Sequence, residues 1–115
     1  MRRLITRKGG TVMNYKEEYE KIKDQLVESF NDFEACKQDL IKHKEDDIVK
    51  ETLESIERIK SLIIVYIGVI NKAEYCDDIR EMEAIGNDML KINELLKREQ
   101  INASMLLLKA KLRVL

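Results

Sequence analysis

Apolar residues recur every three or four positions along most of this chain, which is the period of an α-helix buried on one side. Tyr15, Tyr19, Ile22, Leu26, Phe30, Phe33, Cys36 and Leu40 form one such stripe and predict a first helix from about Tyr15 to His43. Asn14 and Glu17 have the spacing of a capping box at its start. The polar run Lys42–Asp47 interrupts the stripe. Its basic residues suit the end of one helix, and Asp46 or Asp47 suits the opening of the next. So short a connection predicts antiparallel neighbours.

The second helix is predicted from about Ile48 to Lys72, with Val49, Leu53, Ile56, Ile59, Ile63, Ile67 and Ile70 inward. Its centre, Leu62–Ile70, is apolar at every position except Gly68. Leu62, Val65, Tyr66 and Val69 there make a second apolar face, and Gly68 offers a place for another helix to come close. After a break at Asn71–Asp77, Asp78 and Glu81 have capping-box spacing and open a third helix, about Ile79–Arg98. Met82, Ile85, Met89, Ile92 and Leu96 keep phase across Gly86, which predicts an uninterrupted helix there. Asn102 reads as the cap of a final helix, Ala103–Leu115. That segment carries two stripes: Ile101, Met105, Leu108, Leu112 and Leu115 on one, Ala103, Leu107, Ala110 and Val114 on the other.

The expected fold is therefore all-α, a small antiparallel bundle of three long helices plus a shorter C-terminal helix. In it the last helix closes over the second face of helix two. Two apolar faces on that last helix cannot both fill one groove, so an exposed patch or a contact between copies is expected. The expected partner-binding residues are Leu62, Val65, Tyr66, Val69, Leu107, Ala110 and Val114, and Leu107→Asp is expected to abolish binding while sparing helicity.

Composition sharpens this picture. Of 115 residues 44% are hydrophobic and 37% charged, with no Pro and no Trp, which fits one helical domain rather than a disordered chain. Met1–Val12 differs from the rest: it holds Arg2, Arg3, Arg7, Lys8 and two glycines, without helical periodicity. Lys8-Gly9-Gly10 can be encoded AAA-GGA-GGT, a bacterial ribosome-binding sequence placed suitably before Met13. Residues 1–12 are thus read as a translated leader or basic arm, residues 13–115 as the domain, and the source as bacterial or phage. Without those four basic residues the formal net charge moves from −1 to −5, which disfavours nucleic acid as a partner. The longest apolar run is too short for a bilayer and no signal-like segment is seen, so a cytoplasmic protein without a membrane partner is expected.

Candidate chemistry is sparse. Cys36 and Cys76 are the only cysteines and His43 the only histidine, too few for a zinc site, and no cofactor is expected. Glu54-x-x-Glu57 and Glu74-x-x-Asp77 loosely resemble the paired acidic motifs with which all-helical MazG-type nucleotide pyrophosphohydrolases hold magnesium. On one continuous helix, however, Glu57 and Glu74 would stand about 25 Å apart, too far to share an ion. A degenerate helix-turn-helix around Gly86, with Asn87–Arg98 presenting Lys91, Lys97 and Arg98, is an alternative; Glu81 falls where that motif wants an apolar residue. The function expected is non-enzymatic: a regulatory or inhibitor-type module that binds another protein or a second copy of itself.

Overall fold

In a computed structural model, which describes residues 9–114, the chain forms three helices: α1 (Gly9–Leu40), α2 (Asp47–Asn71) and α3 (Ile79–Val114). Single 3₁₀ turns, Ile41–His43 and Lys72–Tyr75, follow the first two, and no strand occurs among the described residues. The all-α class is as expected; the fourth helix is not there. Most of the expected leader lies outside the described residues. Gly9–Val12 make the first turn of α1, earlier than the predicted start at Tyr15, and Val12 packs on the core one helical step before Tyr15.

The connections follow their capping chemistry. The Asp46 carboxylate accepts the backbone N–H groups of Ile48 (2.9 Å) and Val49 (3.2 Å), satisfying two orphan donors of α2. Arg113, near the end of α3, sets Nη2 2.9 Å from the same carboxylate and so ties the two termini together. Asp78 likewise accepts from Arg80 N–H at 2.8 Å to open α3.

α2 is the central helix. It packs along both α1 and α3, which meet each other over a smaller area, where Tyr19 reaches Met82. The molecule is accordingly long and thin, 55 × 25 × 17 Å, its length matching the roughly 54 Å of a 36-residue helix. Two apolar clusters fill it. The larger gathers Tyr19, Leu26, Ile59, Ile63, Met82 and Met89 with their neighbours, and the smaller joins Leu40, Val49, Ile56 and Ala110 at the opposite end.

α3 runs unbroken where the sequence suggested a cap at Asn102. The reason is that Asn102 spends its amide on Glu99 Oε2 (3.1 Å) and Ser55 Oγ (3.4 Å), across the α2–α3 contact, rather than on its own backbone. With no Gly or Pro between Arg98 and Ala103, nothing stops the helix. The buried residues Leu96, Ala103 and Ala110, seven apart, carry one seam through the supposed break.

Gly86 also lies inside α3, and its role is spatial. The Tyr19 hydroxyl donates to the Met82 carbonyl oxygen at 2.8 Å, and a Cβ on Gly86 would sit 2.7 Å from that hydroxyl. Burial first, then Tyr15 and other neighbours, push the Tyr19 phenol up to about 12, so it remains a donor at physiological pH. Gly86→Ala is therefore expected to destabilise the protein by about 1 kcal/mol. The displaced hydrogen bond outweighs the better helix propensity of Ala. In a Tyr19→Phe background, with ring carbon Cζ at 3.8 Å and no hydroxyl, the same change becomes stabilising. Urea unfolding of the four proteins of this cycle checks the change of sign.

Candidate functional site

The seven residues expected to bind a partner do not share a surface. Tyr66 is buried, and Leu62 and Val69 are partly buried against the larger cluster; of the α2 four only Val65 is exposed. The expectation that a fourth helix covers them is corrected: α2, flanked by α1 and α3, buries a wide arc and needs no further cover. Its outward strip is Ser61, Ile64, Val65 and Gly68, and nothing lies within 4 Å of a Cβ built on Gly68, so no helix approaches there. On α3, Ala110 is fully buried and Leu107 and Val114 pack into the smaller cluster. The expected exposed patch is thus corrected to the other stripe of that segment.

That other stripe is Ile101, Met105, Leu108 and Leu112, between 59% and 80% exposed; its last expected member, Leu115, lies outside the described residues. Steps of four, three and four place these side chains on one line along the outer side of α3, facing away from α2. Their spacing is that of the d and a positions of a coiled-coil seam. Towards the N-terminus the seam ends, because Arg98 and Glu94 occupy the next a and d positions. A shallow depression beside it is lined by Lys97, Gln100, Ile101, Ser104 and Met105.

Beneath this helix a polar cluster fixes the register of α3 on α2. Ser55, fully buried, donates its hydroxyl to Glu99 Oε2 at 2.7 Å, while Arg58 Nε lies 3.0 Å from Oε1 and Nη2 3.2 Å from Oε2. The Arg58 hydrogen bonds hold the Glu99 carboxyl down at about 2, with Ser55 and Asn102 helping and burial opposing. So weak a base takes no proton near neutral pH, and no histidine adjoins Ser55; the group is a clamp and not a nucleophile pair. Because the folded carboxyl titrates below its ordinary value of 4.5, its contribution is complete above that pH and is lost as pH falls towards 2. The contribution is of order 1–2 kcal/mol, discounted for a half-exposed Arg58. Glu99→Gln is expected to flatten the fall of urea midpoint across that window, measured between pH 5 and about 2.

A second polar group binds α1 to α2. Lys60 reaches Glu34, lies 3.4 Å from Glu57 and stands 5.2 Å from the centroid of the Phe30 ring, and Lys37 pairs with Glu57 at 3.3 Å. Both clusters join residues distant in sequence, and single-helix periodicity carries no signal for them.

α2 continues without a break past Glu54 and Glu57, and no group of three or more His, Cys, Asp or Glu able to hold a metal occurs among the described residues. The helix-turn-helix near Asn87–Arg98 is corrected: it requires a turn at Gly86, and α3 has none there. Cys76 is buried with Sγ 3.3 Å from the Asp78 carbonyl, Cys36 is partly buried, and both are free thiols. Among the described residues no helix is long and apolar enough to cross a membrane. Compared with known proteins, the chain matches no family, no curated protein and no solved structure.

Proposed function

We propose that this chain is a non-enzymatic protein-interaction module, of regulatory or inhibitor type and cytoplasmic, which engages its partner through the outward stripe of α3. One observation carries the reading: four large apolar side chains in coiled-coil register stand in water on a helix whose opposite side is fully packed. Soluble proteins seldom leave a contiguous apolar line uncovered unless something docks on it. The helix beneath is rigidly seated by the Ser55–Arg58–Glu99–Asn102 cluster and by Arg113 on Asp46, so the line is preorganised for docking.

Leu108→Asp tests it. The substitution is expected to leave the free energy of unfolding unchanged within about 0.5 kcal/mol, because the side chain stands outside both core clusters. Binding is expected to fall by at least about a hundredfold, since a central anchor is replaced by a charge. The measurement is affinity capture from the encoding cells with wild type and variant side by side. Recovery of the same proteins by both would overturn the reading.

A further inference from the structure

The outward stripe of α3 has a chemistry at its edges that narrows what can lie on it. With Met105 and Leu112 at a and Ile101 and Leu108 at d, the flanking e and g positions include Lys97, Lys109 and Lys111. From Gln100 to Val114 there are three basic residues and no acidic one. Arg113 is taken up by Asp46, whereas Lys97, Lys109 and Lys111 have no ion pair among the described residues.

The depression beside the stripe adds a shape. Lys97, Gln100, Ile101 and Ser104, four of its lining residues, stand at i, i+3, i+4 and i+7. In the heptad these are g, c, d and g positions, so the depression runs along one flank of the seam, beside Lys97. A narrow seam, a depression along one flank and unpaired lysines on the edges together describe one side of a two-helix contact.

Resting on the interaction reading above, we infer that the occupant is an amphipathic helix of another protein, apolar at a and d and carrying Glu or Asp at its flanks. A second copy of this chain fits poorly. Antiparallel pairing of Met105 with Ile101 of the other copy sets Lys97 against Lys111 of that copy, and parallel pairing gathers the basic ends together. A membrane fits poorly too. α3 contains no Phe, Tyr or Trp to anchor at an interface, and from Gln100 onward its exposed apolar surface is a narrow seam rather than a broad face.

Two synthetic three-heptad peptides with Leu at a and d decide the matter, one with Glu at e and g and one with Lys. Their binding to the full chain is followed by fluorescence anisotropy, beside vesicles rich in phosphatidylserine. The acidic peptide is expected to bind at least about tenfold more tightly than the basic one. Lys109→Glu with Lys111→Glu is expected to reverse that order, and Leu108→Asp to abolish binding of both. Equal affinity for the two peptides, with Leu108→Asp still abolishing it, overturns the acidic occupant but leaves the docking stripe standing. Vesicle binding in preference to the acidic peptide, or a dimer in sedimentation that Leu108→Asp dissolves, overturns it in favour of a membrane or a second copy. Binding that is indifferent to Leu108→Asp, or no binding at all, overturns the inference, and the first of these also removes the stripe as the docking site.

Discussion

Ile63→Ala is expected to lower the free energy of unfolding by about 2–5 kcal/mol, whereas Ile64→Ala beside it changes it by less than about 0.5 kcal/mol. The two isoleucines are neighbours in the most apolar stretch of the chain, yet one is 0% and the other 60% exposed. Ile63 lies in the larger cluster at the middle of α2, the helix that packs against both others. Truncation there removes buried methyl groups and leaves a cavity that two facing helices cannot close without moving. A domain of this size is held by only about 5–15 kcal/mol in total, so the loss is a large fraction of the whole. Ile64 points into water between Ser61 and Gly68, and its removal takes away little that folding buried. Urea unfolding of the two variants, with unchanged slope, checks the contrast.

That contrast also marks how far the sequence could be read. Periodicity located α1, α2 and the start of α3, because one stripe per helix facing one core is a local property of the chain. The inward positions Met82, Ile85, Met89 and Leu96 were legible for that reason, and each is buried. Where a helix has apolar residues on two sides, periodicity alone does not say which side wins. In the last helix the stripe with Ala103 and Ala110 is the buried one. Small side chains let the backbone of α3 lie close to α2, a packing preference that hydrophobicity ranks below the leucines and methionine outside. In α2, Tyr66 turns inward and Ile64 outward because two flanking helices, not one, set the buried arc. Asn102 misled in another way. An Asn before an apolar run is a fair cap signal, but here its amide answers Ser55, which lies 47 residues away in sequence.

Leu107→Asp is the second large effect, and it departs from what the sequence suggested for this position. Leu107 packs with Ala110, Val114, Leu53 and Phe33 in the smaller cluster, where the end of α3 closes against α1 and α2. A carboxylate there forfeits the apolar packing of Leu107, and in turning towards water or Lys111, one turn on, it draws the last turns of α3 away from the cluster. Undocking would also cost the Arg113–Asp46 contact that ties this end to the start of α2. The expected loss is about 2–4 kcal/mol, a large fraction of the stability of a domain this size. Loss of binding in such a variant would reflect loss of structure and not of a contact residue.

Side-by-side urea unfolding of Leu107→Asp and Leu108→Asp therefore tests the central claim, that α3 keeps a packed inner face and a free outer one. A midpoint well below wild type is expected for the first and one indistinguishable from wild type for the second. If Leu108→Asp fell as far as Leu107→Asp, the outer stripe would be part of the core of the isolated chain, and no docking face would remain on α3.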